Sequence, residues 1–204
     1  VLMSNHFHLL VKTPLANLQE FMRHFNISYT SYYNWKHDRA GHLYQGRYKA
    51  FLVDADNYLQ EISRYIHLNP MRVKLRSGMT LDEKRRYLKN YRWSSYAGYI
   101  SQVRERGFLQ VREVLSYFGG DTVKGRKGYE SFVMEGLSRE IANPLERGKG
   151  HGIVGAKEFI EKIRGQHIRS SVELREVPAV KKILAQVEPE RIIRCLLYTS
   201  DAAD

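Results

Sequence analysis

Cysteine is nearly missing from this chain: Cys195 is the single one in 204 residues. One thiol excludes an intrachain disulfide framework and a thiolate zinc site, and it fits a reducing cytoplasm. No apolar run approaches the ~20 residues of a membrane span, and no secretory leader opens the chain, so no membrane partner is expected. There is no Walker-type Gly-Lys-Ser/Thr loop. The Gly-Lys-Gly-His-Gly run at 148–152 lacks the strand–loop–helix setting of a phosphate cradle and reads as flexible. Internal repeats are absent. Acids are in the minority, with 22 Asp and Glu against 33 Lys and Arg, a formal charge of +11 and a pI near 9.7. Such an excess gathers phosphate polyanions and predicts salt-sensitive binding to nucleic acid.

Basic residues interleave with aromatic ones at Arg47-Tyr48-Lys49, Arg85-Arg86-Tyr87 and Lys89-Asn90-Tyr91-Arg92-Trp93. Rings can stack on unpaired bases while the cations follow the backbone. Arg47, Tyr48, Lys49, Arg64, Arg72, Arg92 and Trp93 are therefore the candidate DNA contacts. Taken singly, each is better read as an ordinary solvated charge or a core-facing ring; it is the set that points to DNA.

Residues 1–11 read as one strand. Two-residue periodicity puts Met3, Phe7, Leu9 and Val11 on one face, and Ser4, His6 and His8 on the other, wetter one. Two neighbouring imidazoles can converge on a metal ion, or they can be merely solvated. A helix is expected over Asp56–Asn69, with Leu59, Ile62 and Ile66 as its apolar stripe, an N-cap among Asp54, Asp56 and Asn57, and Pro70 as its stop. Tyr65 and Asn69, four apart, share a face of it. A phenol beside an apolar stripe also suits a core position.

A further helix is expected from Asn17 to about His37, burying Leu18, Phe21, Met22, Phe25, Tyr29 and Tyr32 or Tyr33. Residues 42–53 read as a strand or extended arm with Gly46 at a bulge. Residues 75–107 read as basic and loop-rich. Over 108–140 two helices are expected around a Gly119-Gly120 break, the first with Phe108, Val111, Val114, Leu115 and Phe118 as its stripe, the second marked by Tyr129, Phe132, Val133 and Leu137. Asn143–Gly155 reads as a linker or turn, and Lys157–Arg164 and Pro178–Val187 as helices.

The setting Leu-Met-Ser-Asn-His6-Phe-His8-Leu-Leu-Val resembles the histidine–hydrophobe–histidine strand of the single-tyrosine transposases. Gly41–Lys49, Arg64–Arg72 and Tyr91–Tyr96 are similar to the REP-associated branch of that family, over roughly residues 1–100. The resemblance implies Tyr65 as nucleophile, His6 and His8 as metal ligands with Asn69 as the third, and a Mg2+ or Mn2+ cofactor. It implies single-stranded or hairpin DNA as partner, a 5′-phosphotyrosine intermediate, and a bacterial, nucleoid-associated location. A homodimer is compatible with it. The implied fold is α+β, with an antiparallel ferredoxin-like or RRM-like sheet.

Val1 opens inside a strand, so the expectation is a catalytic domain over 1–107 lacking its N-terminal part, followed by a helical extension over 108–194. Residues 195–204 read like a translated library adapter, with Cys195–Ser200 matching its encoded run, and are expected to be foreign. A non-catalytic DNA-binding regulator or decayed remnant on the same fold is the alternative reading. Within enzymes, a replication-initiator or relaxase-type nickase shares the chemistry.

Overall fold

The computed structural model describes residues 1–72, 78–101, 107–139, 141–150, 152–167 and 195–198. The chain is mixed α and β and divides into two compact units, Val1–Met3 with Leu59–Pro144, and Ser4–Tyr58 with Leu145–Asp204.

The first unit is helical. It holds most of α2 (Ala55–Leu68), a short 3-10 turn at Asn69–Met71, α3 (Leu81–Asn90), α4 (Tyr96–Ile100), α5 (Arg112–Ser116) and α6 (Val123–Ser138). Leu59, Ile62 and Ile66 are buried as the helical spacing predicts, together with Leu88, Tyr96, Tyr99, Leu115, Tyr129 and Val133. Pro70 ends α2 in the 3-10 turn, since it has no N–H to continue the ladder. A boundary at 107 falls inside this unit, whose helices α3 to α6 lie on both sides of it. The chain enters the unit at Leu2, which donates its N–H to the Trp93 carbonyl (2.8 Å) and accepts the Tyr91 hydroxyl (2.7 Å).

Two expectations need correction here. Part of the basic stretch read as loop is helix: α3 starts with a capping box in which Thr80 and Glu83 satisfy each other's backbone N–H groups. The stripe expected at 108–118 forms only the five-residue α5, and Phe108 is exposed. The glycine break is as expected, because Gly119 (φ +93°) and Gly120 (φ +85°) take left-handed conformations that terminate a helix. Thr122 then caps α6 by accepting from the Gly125 N–H (3.0 Å).

The second unit carries the sheet, α1 (Leu18–Lys36) and α7 (Lys157–His167). The strands β1 (Leu9–Lys12), β2 (Leu52–Val53), β3 (Ile153–Val154) and β4 (Cys195–Tyr198) lie in the order β1-β4-β2-β3. β4 runs antiparallel to β1 and β2, whereas β2 and β3 run parallel. The sheet is therefore mixed, not wholly antiparallel. A parallel pair needs a long crossover, and the chain between Val53 and Ile153 supplies one. β4 comes from the tail expected to be adapter-encoded. The run expected as a linker contains a 3-10 turn at Pro144–Gly148 and then β3. The helix expected at Pro178–Val187 lies outside the described residues.

The strand expected over 1–11 is regular only at Leu9–Lys12, because the chain bends at Ser4–Asn5. Phe7 and Met22 form a small core with Leu9, Leu18, Phe25, Tyr44 and Tyr48 around them. α1 has the expected span but not the expected burial. Met22 is its one fully buried residue, and Phe21, Tyr29 and Tyr32 are exposed. A 19-residue helix over so small a core covers only a narrow stripe.

Candidate active site

His6 and His8 are brought together in the second unit, with ring centroids 5.0 Å apart and planes nearly perpendicular. They do not share a solvated face: His6 is half-buried and His8 is buried. Asn5 orients the first ring, its side-chain oxygen lying 2.8 Å from His6 Nδ1. An amide oxygen can only accept, so Nδ1 carries the proton and Nε2 keeps the lone pair that a metal ligand needs. Among the described residues no group of three His, Cys, Asp or Glu forms a metal site. The expected ligand set does not require one, since its third member is an amide.

Tyr65 and Asn69 belong to the first unit and sit on the last turns of α2 and its 3-10 extension. Asn69 Nδ2 donates to the Tyr65 carbonyl (2.9 Å), which ties down the amide and assigns Oδ1 as the atom suited to a metal. The Tyr65 ring is buried, and the Arg72 guanidinium stands 4.7 Å from its centroid. Arg72 is held there by a hydrogen bond to the Ile141 carbonyl (2.8 Å). A cation on the ring face stabilises negative charge on the phenolic system. The sequence singled out Arg72 only as a DNA contact; its place three residues beyond Asn69, after the turn at Pro70, is what brings it back to Tyr65.

The other candidate DNA contacts divide by exposure. Arg47 and Lys49 are exposed, and Tyr48 packs on the Phe7–Met22 core. Arg92 lies over the half-exposed Trp93 ring (4.7 Å). Arg64 is partly withdrawn, 3.9 Å over the Phe132 ring, and burial lowers its pKa.

Behind Tyr65, α2 turns His67 into a box of Tyr96, Tyr99 and Tyr129, with ring centroids between 5.0 and 5.9 Å away. Its Nδ1 meets the Tyr129 hydroxyl (2.6 Å), its Nε2 meets Ser95 Oγ (2.9 Å), and Ser63 Oγ meets Tyr129 from the far side (2.6 Å). The neutral imidazole can satisfy this chain with one proton per bond, and full burial penalises its charged form. Burial accordingly lowers the His67 pKa to about 3 and pushes the Tyr129 and Tyr96 hydroxyls up. Sequence reasoning missed this network, because its partners lie 28 and 62 residues away. The local signal was Ser63 four residues before His67.

The pH consequence follows from the depressed pKa. Between about 6.5 and about 3 the unfolded chain binds a proton at His67 that the folded chain refuses. The His67 contribution to stability is complete above pH ~6.5 and declines as pH falls, by up to ~1.4 kcal/mol per unit. Urea melts between pH 7.5 and 4.5 should show this slope, and His67→Gln should flatten it. An equal slope in both proteins would remove His67 as its source.

No helix among the described residues is long and apolar enough to cross a membrane. Among curated proteins and among solved structures nothing matches the chain. Residues 1–69 of the 204 match the family model of the IS200-like transposases, a range that includes His6, His8, Tyr65 and Asn69.

Proposed function

We propose that this chain is a DNA strand transferase of the transposase type, which cuts single-stranded or hairpin DNA through Tyr65. The observation that carries the reading is the IS200-like match over a range holding all four candidate residues. The strongly basic composition supports it. Within that family the Gly41–Lys49, Arg64–Arg72 and Tyr91–Tyr96 blocks favour the REP-associated branch, in a bacterial nucleoid setting.

Tyr65 Oη attacks a backbone phosphorus. The Oη–P bond forms as the P–O3′ bond breaks, the phenol proton passes to solvent, and the departing 3′ oxygen takes one up. The product is a 5′-phosphotyrosine and a 3′-hydroxyl. The linkage conserves the phosphodiester energy, so a new 3′-hydroxyl reverses the step and joins another strand without ATP. The resemblance gives His6, His8 and Asn69 as the residues that would hold a divalent Mg2+ or Mn2+, which would supply Lewis-acid polarisation of the scissile phosphate. Imidazole suits Mn2+ better than Mg2+.

Arg72 stabilises charge on the Tyr65 ring, both as it attacks and as it later departs. Arg72→Gln should slow adduct formation at saturating DNA by about three- to tenfold, with Arg72→Lys partly restoring it. A defect confined to DNA affinity would instead mark Arg72 as a phosphate contact.

The reading is tested by incubating the protein with labelled hairpin oligonucleotides and Mn2+ and running a denaturing gel. A metal-dependent covalent adduct is expected. A folded protein that binds the DNA and forms none would be a binding protein, not a transferase.

A further inference from the structure

α1 presents a face that its own unit does not cover. Helical spacing aligns Phe21, His24, Phe25, Ser28, Tyr29, Tyr32, Trp35 and Lys36 within one side of the 19-residue helix. Six of these line an open groove on that face: Phe21, His24, Phe25, Ser28, Tyr29 and Tyr32. Exposure rises along it, from 38% at Phe21 through 51% at Tyr32 to 80% at Trp35. The rings form a graded series: Phe21 stacks on Phe25 (5.9 Å, 24° between planes), and Tyr32 lies against Trp35 (6.3 Å).

The chemistry of the face selects its occupant. Its exposed apolar groups are aromatic, interspersed with a hydroxyl and an imidazole, with Asn17 and Glu20 lining its N-terminal end. Exposed rings give unpaired bases a stacking surface, and the cations around them distinguish this face from a protein interface, whose core is depleted in charge. Cations border it: Lys36 stands 5.7 Å over the Tyr32 ring and Arg39 5.8 Å over Tyr33. Arg47 and Lys49 are exposed on the arm that carries Tyr44, whose ring lies 6.5 Å from Tyr29. From Lys12 to Val53 there are six Lys and Arg against two acids, Glu20 and Asp38. Glu20 lies at the N-terminal edge of the groove, away from the Tyr32–Trp35 end.

We propose that this face of α1 is a base-stacking platform for single-stranded DNA. Unpaired bases lie on Tyr29, Tyr32 and Trp35, while Lys36, Arg39, Arg47 and Lys49 follow the phosphates. The site deepens the proposed function, on which the choice of DNA rests. It belongs to the second unit, whereas Tyr65 and Asn69 belong to the first, and it holds strand rather than cutting it.

Trp35 and Trp93 are the two tryptophans, so Trp93→Phe leaves Trp35 as the sole indole reporter. The test titrates that protein, carrying Tyr65→Phe to prevent cutting, with a twelve-nucleotide oligo(dT) and with an abasic strand of equal length and charge. Stacking predicts strong quenching of Trp35 by oligo(dT) and little by the abasic strand. Tyr32→Ala and Trp35→Ala, followed by fluorescence anisotropy of labelled oligo(dT), should each weaken binding by about tenfold or more without changing its salt dependence. Lys36→Gln with Arg39→Gln should reduce the salt slope. Equal quenching by both strands, or unchanged affinity in both alanine variants, would overturn the platform. So would protein-concentration-dependent quenching without DNA that disappears with dimer dissociation in sedimentation, since the face would then join two copies. None of these readouts needs a covalent adduct, so failure of the tyrosine chemistry and failure of the platform are separately visible.

Discussion

Tyr65→Phe will abolish covalent capture of DNA, lowering the rate by on the order of 10^3-fold or more. The substitution removes one atom, the nucleophile. The ring remains, and with it the buried packing and the Arg72 guanidinium 4.7 Å from its centroid. Asn69 still donates to the residue 65 carbonyl, which is backbone. The variant should therefore stay folded and bind the same oligonucleotide with unchanged salt dependence, because phosphate contacts come from lysines and arginines elsewhere. Its defect is confined to bond making. An adduct that survives the change would move the nucleophile to another residue, and a loss of binding would mean that the hydroxyl serves recognition.

Arg126→Ala will cost about 3–5 kcal/mol of stability. Arg126 is buried in the helical unit and works as a fastener. Its Nε and Nη2 both approach Asp121 Oδ1 at 2.7 Å. Its Nη1 donates to the carbonyls of Gly98 (2.7 Å), Tyr99 (3.1 Å) and Ser101, which gathers the end of α4 onto α6. Those carbonyls lie at the C-terminal end of α4. Removing the guanidinium takes a buried, forked donor away from all three, while Asp121, about a quarter exposed, can turn to water. Most of the loss therefore comes from the carbonyls. Thermal melts should fall by roughly 6–15 °C, and Arg126→Lys should recover only part, because one ammonium cannot reproduce a fork. A fall under ~2 °C would show that water replaces the guanidinium at little cost.

Periodicity made the long helices legible. α1, α2 and α6 carry apolar stripes at the 3.6-residue period, and proline or glycine marks the ends of two of them. α3 escaped the sequence reading because its overwhelming charge hid the pattern, although Thr80 followed by Glu83 is a capping-box signal. The strand over 1–11 was overextended because alternation alone does not register a bend, which here comes at Ser4–Asn5. Burial was the weaker inference. Phe21, Tyr29 and Tyr32 satisfy a helical stripe as well as any core residues, and only the small size of the Phe7–Met22 cluster shows that nothing in their own unit covers them. The candidate site was partly legible. His6 beside His8, and Tyr65 one turn from Asn69, follow from spacing. Arg72 over Tyr65 and the His67–Tyr129–Ser63 network depend on a turn and on contacts distant in sequence. Arg126 reads as a solvated charge until its carbonyl partners are known.

The central claim is that Tyr65 forms a bond to DNA. Its most direct test is to isolate the Mn2+-dependent adduct, digest the DNA to a nucleotide stub, cleave with trypsin, and map the modified peptide by mass spectrometry. The expected product is the peptide Tyr65–Arg72 carrying a 5′-nucleotide phosphate on Tyr65. A nucleotide on any other residue, or no linked peptide from a folded protein that binds the hairpin, would contradict it.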